Sequence, residues 1–166
     1  MKKILAVNQA GTTIDAALLI ARVGIGLLML THGIPKLMML LSDAPVQFPP
    51  VMNMSNELSL GLAVFAEVFC SLFIIGGLGT RLAAIPLITT MLVAAFYIHA
   101  ADPFTKQEPA LQYLLVYIIL LLAGSGRYSV DGLLVQSGKL RTGDGRQRKS
   151  VIPNEVRGQE QRQFVA

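Results

Sequence analysis

The chain has 166 residues, of which 53% are hydrophobic and only 14% are charged, and its mean hydropathy is +0.58. Soluble domains carry roughly 25% charged residues, so this composition argues against a soluble domain and indicates an integral membrane protein. Basic residues outnumber acidic ones by fourteen to ten. They gather near the C-terminus without interleaved aromatic residues, so the sequence predicts no nucleic-acid partner.

Four apolar segments are predicted to form membrane-spanning helices, at about residues 14–41, 58–78, 82–101 and 110–126. A hydrocarbon core of about 30 Å needs roughly 20 helical residues, and the first three segments reach that length. The fourth is the shortest and would gain length from its flanks. The polar residues Asn8, Gln9 and Asp15 interrupt any signal-peptide core, so the first helix is expected to be retained. The predicted fold class is all-α, an integral membrane four-helix bundle.

The connections between these segments differ in character. Residues 42–57 hold three prolines and are predicted to form an irregular loop. A tight turn is expected at residues 79–81, and a short link is expected at residues 102–109, which Pro103 and Pro109 bracket. Residues 138–166 are polar and rich in Gly, Gln and Arg, which predicts a disordered basic C-terminal tail.

The orientation follows from the basic residues outside the segments. With four spans, both termini share a side with the turn at Arg81. That side collects Lys2, Lys3, Arg81 and the eight Lys and Arg residues after position 126, whereas Lys106 alone lies on the other side. The positive-inside rule then places both termini in the cytoplasm.

Ionisable residues inside the predicted spans are candidates for function. Arg22, His32 and Lys36 belong to the first span, Glu67 to the second and His99 to the third. A charge at the bilayer centre costs roughly 2.5–3.5 kcal/mol on insertion scales, so such side chains are expected to face the interior and to pair. At about 100° per residue, the three polar residues of the first helix fall within a sector of about 80°.

Depth along the helices suggests which groups meet. At about 1.5 Å per residue, Lys36 and His99 lie within about 5 Å of the outer surface, and His32 and Glu67 lie about 9 and 13 Å deep. Arg22 lies about 24 Å deep. An Arg22–Glu67 pair is favoured because it neutralises both buried charges, with His32 as the next partner. Two alternatives stay open: Lys36 and His99 merely snorkel to the interface, or the Arg22–Glu67 pair is only structural.

Other residue types narrow the chemistry. Cys70 is the only cysteine, which excludes an internal disulfide and a Cys-based metal site. Two histidines near one surface do not make a haem site, so no metal site is predicted. No dinucleotide-binding fingerprint occurs either. Tyrosines could flank a ring or pack: Tyr97, Tyr113 and Tyr117. Glycines are expected to allow close helix contact at Gly24, Gly26, Gly61, Gly76 and Gly77.

Several stretches together resemble the DoxX family. ARVGIGLLMLTHGIPKL resembles its first helix, and AEVFCSLFIIGGLGTRLAA resembles its second helix, turn and third-helix start, with Glu67, Gly76, Gly79 and Arg81 in matching places. IHAADPF and SGRYSVDGLL resemble its third-helix end and the segment after its fourth helix. The resemblance covers about residues 14–135, which are taken as one transmembrane domain. The loop at 42–57 and the tail after 138 lie outside it.

The resemblance implies a location and an activity. The family comprises small four-helix proteins of the bacterial inner membrane, mostly regarded as oxidoreductases. It is similar to the quinone-linked membrane subunit of thiosulfate:quinone oxidoreductase. By this likeness the chain would be an oxidoreductase component working with a redox partner subunit. No covalently bound cofactor is expected, and a quinone is the expected ligand.

The leading hypothesis places a quinone or another small molecule in a pocket inside the helices. Glu67 and Arg22 are the predicted catalytic residues, and His32, Lys36 and His99 the predicted ligand-binding residues. Structural roles are predicted for Arg81, Gly76 and Gly79. The alternative is a non-catalytic scaffold that anchors a soluble redox enzyme, and a third hypothesis is a small transporter. Whether the chain is an enzyme, and whether it forms a homo-oligomer, stays open.

Overall fold

The structure, a computed structural model, describes residues 11–134 and residue 137. All regular secondary structure within these residues is helical. The chain divides into two compact units, Met1–Gly132 and Leu133–Ala166. In the second unit, residues 133, 134 and 137 are described and all three are helical. The predicted tail at 138–166 and the N-terminal Lys2 and Lys3 lie outside the described residues.

Four long helical segments make up the first unit. They are α1 (Gly11–Leu40), α2 (Asn56–Gly76), α3 (Thr80–Ile98) and α4 (Phe104–Ala123). By length and composition, α1, α2 and α3 could each cross a membrane. The first turn of α4 is polar, with Thr105, Lys106 and Gln107, which lowers the hydropathy of that helix.

The fourth helix starts earlier than the sequence predicted. It begins at Phe104 rather than near residue 110, so most of the predicted link at 102–109 is helical. Pro103 precedes the first helical residue, a place where proline's fixed φ favours a helix start. The Gln107 amide holds this start by donating hydrogen bonds to the carbonyls of His99, at 2.9 Å, and Asp102, at 3.3 Å. Pro103 therefore marks the start of α4, and Pro109 lies inside that helix instead of closing a link.

The second helix has well-defined ends. Ser55 precedes it, and its side-chain oxygen accepts a hydrogen bond from the Leu58 amide at 3.2 Å, the usual N-cap arrangement. At the other end Gly77 adopts a left-handed φ of 69°, and the Leu78 amide donates to the Phe73 carbonyl at 3.0 Å, as in a Schellman motif. Gly79 is also left-handed, with φ of 56°. The turn therefore lies at residues 77–79 and not at the predicted 79–81, because its two left-handed positions are glycines and Thr80 already begins α3.

Two of the helices contain a stretch of π-helix. In α2 it spans Phe65–Cys70, and in α3 it spans Ala94–Ile98. A π-helical turn closes its hydrogen bonds over five residues instead of four, so it changes which side chains face inward. Such turns are rare and are frequently found at functional sites. The α2 stretch carries Glu67, and the α3 stretch ends just before His99.

Each helix packs against the next one along the chain, and α1 also contacts α4. The buried core includes large apolar side chains from all four helices, among them Met29, Ile74, Leu87, Tyr117 and Leu120. Many large apolar side chains instead face outward, for example Ile20 at 72% exposed, Leu82 at 75% and Leu122 at 73%. Apolar residues on both the inner and the outer face of the helices are what contact with a lipid bilayer requires.

Glycine permits the closest approach of α1 to α2 at two positions. A Cβ on Gly26 would lie 2.5 Å from Cγ1 of Ile75, and one on Gly33 would lie 3.0 Å from the Glu67 carbonyl carbon. A Cβ on three other glycines expected to make close contacts would meet nothing within 4 Å: Gly24, Gly61 and Gly76. Gly33, which the sequence analysis did not select for contact, brings α1 against the backbone of Glu67.

Candidate functional site

Two charged side chains, Lys36 and Glu67, meet in the space between α1 and α2. Lys36 lies on α1, and its Nζ donates a hydrogen bond to Oε1 of Glu67 in the π-helical stretch of α2. The Glu67 side chain is 2% exposed and that of Lys36 is 28% exposed. Because Gly33 has no side chain, α1 can sit directly on the Glu67 backbone one turn away from Lys36.

The second carboxylate oxygen of Glu67 is buried without a partner. Oε2 makes no hydrogen bond to any residue that the structure describes. Buried polar atoms in folded proteins almost always have a partner, and leaving one unpaired costs about 1–3 kcal/mol. Oε2 therefore keeps an acceptor site that no described residue uses.

A cavity of about 340 Å³ lies beside the ion pair, between α1, α3 and α4. We call it the polar cavity. It is lined by Met29, His32, Lys36, Glu67, Met91, Ala94, His99, Thr105, Lys106, Pro109, Ala110 and Tyr113. Four of the five ionisable residues predicted to be functional line this cavity: His32, Lys36, Glu67 and His99. Arg22 is the exception.

The two histidines of the polar cavity are held in different ways. The ring of His32 meets the ring of Tyr113 edge-on, with centroids 5.7 Å apart. His99 Nδ1 lies 2.7 Å from Oδ2 of Asp102. A carboxylate on Nδ1 fixes the tautomer with its proton there, which leaves Nε2 as the nitrogen that can face a ligand. Asp102, which the sequence analysis did not select, thus orients His99.

The charges of the polar cavity favour a ligand with acceptor oxygens. Lys36 and Lys106 supply two ammonium groups, Glu67 supplies one carboxylate, and His32 and His99 can donate hydrogen bonds. Aromatic and apolar side chains form the remaining walls, with Tyr113 stacked on Tyr117 at a centroid distance of 6.3 Å. Acceptor oxygens on an otherwise apolar molecule match this combination of donors and apolar walls.

A second cavity, of about 380 Å³, lies on the other side of the ion pair. We call it the apolar cavity, because most of its lining comes from apolar side chains of the 42–55 loop, α2 and α3. Phe48 of the loop lies under Lys36, with Nζ 5.8 Å from the ring centroid. Four residues line both cavities: Lys36, Glu67, Ala94 and His99.

The predicted Arg22–Glu67 pair is wrong. Arg22 is fully buried, and its guanidinium donates to the carbonyls of Ile74, at 3.2 Å, Ile75, at 3.4 Å, and Tyr128, at 2.5 Å. The reason is distance along the helix, since Arg22 and Lys36 are fourteen residues, about 21 Å, apart on α1. Glu67 lies at the level of Lys36, so the lysine reaches it and the arginine cannot.

Arg22 belongs to a polar cluster at the opposite end of the helices. Asp131, which interacts electrostatically with Arg22, accepts a hydrogen bond from the Gly79 amide at 3.0 Å, and its own amide donates to the Gly77 carbonyl at 3.1 Å. A Cβ on Gly77 would collide with the Arg22 guanidinium. This arrangement binds the chain after α4 to the turn between α2 and α3, which is a structural task.

The three residues predicted to be structural lie at different places in the fold. Arg81 donates to the Leu122 carbonyl at 3.1 Å and so caps the end of α4. Gly79 occupies the left-handed turn position. Gly76 is the last residue of α2, and the left-handed position there belongs to Gly77. Among the tyrosines, Tyr97 is 53% exposed and lies outside both cavities.

The described residues contain no group of three or more His, Cys, Asp or Glu side chains arranged to hold a metal ion. Cys70 is a buried free thiol.

Comparison with known proteins gives one match. A model of the family described as DoxX matches residues 17–100, a little over half of the chain, and this range includes Arg22, His32, Lys36, Glu67 and His99. Neither the curated proteins nor the solved structures provide a match. With its apolar helices and this match, the chain is a membrane protein that belongs to the DoxX family.

Proposed function

We propose that the protein binds a quinone-type molecule in the polar cavity and acts as the membrane component of an oxidoreductase. Four helices would cross the bacterial inner membrane, with both termini in the cytoplasm, and a separate redox subunit would exchange electrons with the bound molecule. The cavity lies where α1 ends and α4 begins, so a lipid-soluble molecule would enter it near one membrane surface.

The observation that carries this proposal is the buried Glu67 carboxylate. Lys36 engages one of its oxygens, and the other points to no partner among the described residues. A buried ion pair is a weak stabiliser, because desolvation offsets its attraction. Its retention at the wall of a cavity of about 340 Å³ is therefore better explained by a ligand than by stability.

The chemistry of quinone reduction fits the donors that surround the cavity. Reduction of a quinone to a quinol takes up two electrons and two protons, and oxidation of a quinol releases them. Lys36 and His99 can donate hydrogen bonds to a carbonyl oxygen of the quinone. A quinone has no hydrogen-bond donor, so Oε2 of Glu67 pairs with a hydroxyl of the reduced form, the quinol, and can take up its proton on oxidation. Electrons would come from, or go to, the partner subunit.

A binding titration tests the proposal. The purified protein in lipid nanodiscs is titrated under anaerobic, reducing conditions with decylubiquinol, and the change in protein fluorescence or heat gives the dissociation constant. Glu67→Gln keeps the size of the side chain but replaces the charged acceptor of the quinol hydroxyl with a neutral amide, so the affinity should fall by about tenfold or more. Glu57→Gln, an exposed residue at the start of the same helix, is the matched control and should leave the affinity unchanged.

Two results would contradict the proposal. One is the absence of measurable binding by the wild type, both to decylubiquinol and to a naphthoquinol with the same tail. The other is equal affinity in the wild type and Glu67→Gln, which would show that binding does not involve the ion pair. If activity of a redox partner nevertheless required this chain, the scaffold hypothesis would explain the dependence.

A further inference from the structure

The apolar cavity has no role in the headgroup chemistry just described, yet it adjoins the same ion pair. We infer that it binds the hydrocarbon tail of the molecule whose headgroup occupies the polar cavity, so that the protein selects a tailed, amphiphilic quinone. This inference rests on the proposed function, because it assumes a headgroup at Glu67.

The two cavities adjoin at the ion pair. Lys36, Glu67, Ala94 and His99 line both of them. On α3 the shared wall is Ala94, which carries only a methyl group. For a quinol whose hydroxyl donates to Glu67, the second cavity is therefore the adjoining space for the rest of the molecule.

The polarity of the lining changes across the ion pair. The polar cavity has two lysines and two histidines in its wall. Beyond the pair, the wall consists largely of apolar side chains such as Phe48, Val51, Leu62, Val93 and Ile98. A polar ring followed by an alkyl chain is the ligand class whose own polarity changes in this way, and each buried methylene would add to the affinity.

The 42–55 loop forms one wall of the apolar cavity. The Val51 amide donates to Oγ of Ser59 at 3.0 Å, and Val46 and Phe48 pack against buried residues of α2. Met52 and Asn53 have left-handed φ of 52° and 61°, which is uncommon for residues other than glycine and asparagine. The contacts with Ser59 and α2 hold the loop as one wall of the apolar cavity.

The cavity also opens to the outside of the helices. Leu62, at 50% exposed, and Ile98, at 37% exposed, line it. A tail longer than the cavity could therefore continue into the surrounding lipid. A phospholipid acyl chain is the competing occupant, and it would need no headgroup at Glu67.

The test compares two probes on three variants in nanodiscs of one lipid composition. The probes are decylubiquinone and the same ubiquinone headgroup without its tail. Ala63→Phe and Val93→Phe each fill the apolar cavity, from α2 and from α3. Leu72→Phe introduces the same aromatic ring at a position of α2 that is 50% exposed and lines neither cavity. The tail also partitions into the lipid of the nanodiscs, to the same extent for the wild type and every variant. This contribution to the apparent affinity therefore cancels when the variants are compared.

The expected result is a change in the affinity ratio. The preference for the tailed probe should fall by about tenfold in both filled variants and should stay at the wild-type value in Leu72→Phe. If one filled variant does not fold, the other decides. An unchanged ratio in a folded filled variant would overturn the tail inference while leaving the headgroup site intact. Failure of the wild type to bind either probe would overturn both proposals.

Photochemical crosslinking gives a readout that needs no variant. A decylubiquinone analogue with a diazirine at the end of its tail is bound to the wild type and irradiated, and the modified peptides are identified by mass spectrometry. Adducts on residues 48–54, Leu62 or Val93 would support the inference. Adducts confined to lipid-facing residues elsewhere, such as Ile20 or Leu122, would overturn it.

Discussion

At the residue scale, the ion pair of Lys36 and Glu67 is the feature on which the account depends. Lys36 neutralises a carboxylate that is 2% exposed, so its removal leaves a buried charge without compensation. Lys36→Met should therefore lower the free energy of unfolding by about 1–3 kcal/mol. The double variant Lys36→Met/Glu67→Gln should be more stable than Lys36→Met alone. Thermal unfolding in detergent measures both, and a double variant less stable than either single one would contradict a direct pair.

Arg22, by contrast, is a charged residue of α1 that stabilises the fold and does not line the candidate site. Its guanidinium reaches three carbonyls from two parts of the chain, a pattern that the lysine ammonium cannot reproduce because it lacks the planar fork. Arg22→Lys should lower the thermal midpoint clearly, with a loss of about 2–4 kcal/mol in unfolding free energy. Its affinity for decylubiquinone, measured well below that midpoint, should stay at the wild-type value. Lost affinity with an unchanged midpoint would return Arg22 to a catalytic role.

The sequence identified the ionisable residues of the site but paired them incorrectly. Composition and helical periodicity select Lys36, His32, Glu67 and His99, because charges inside apolar segments stand out. They do not reveal that Gly33 lets α1 rest on the Glu67 backbone, which brings Lys36 to the carboxylate. Asp102 was missed because it lies in a link between helices, where an acidic residue is unremarkable.

At the element scale, close contact between α1 and α2 positions the pair. A Cβ at residue 33 would lie 2.8 Å from Cγ2 of Val68 and 3.0 Å from the backbone of Glu67. Gly33→Ala should therefore push the helices apart and weaken decylubiquinone binding by about tenfold. Gly24→Ala, on the same helix with nothing within 4 Å, should bind normally and gain up to about 1 kcal/mol from helix propensity. Equal behaviour of the two variants would contradict this positioning role.

The helices themselves were predictable, and their irregularities were not. Long apolar runs identify α1, α2 and α3, since a bilayer-spanning helix needs about 20 such residues. The π-helical stretches at Phe65–Cys70 and Ala94–Ile98 have no local sequence signal, because they depend on packing against neighbouring helices. Both stretches border the candidate site, which is where a change of side-chain register matters most.

At the scale of the whole molecule, the proposed topology has a direct test. In a Cys70→Ala background, the exposed positions Gln47 and Arg127 are changed to cysteine one at a time. A membrane-impermeant maleimide on intact cells should label Gln47→Cys, in the loop between α1 and α2, and should label Arg127→Cys only after permeabilisation. Labelling of both cysteines in intact cells, or the reverse pattern, would contradict cytoplasmic termini.

The central claim is that the polar cavity at Lys36 and Glu67 binds a quinone, and its most direct test is to identify what the protein carries. The wild type and Glu67→Gln are purified in native lipid nanodiscs, and their lipid-soluble contents are measured by liquid chromatography and mass spectrometry. The account predicts a quinone in the wild type at close to one per protein and about tenfold less in Glu67→Gln. Equal amounts in both proteins, or none in the wild type while a known quinone-binding protein prepared in parallel retains its own, would contradict it.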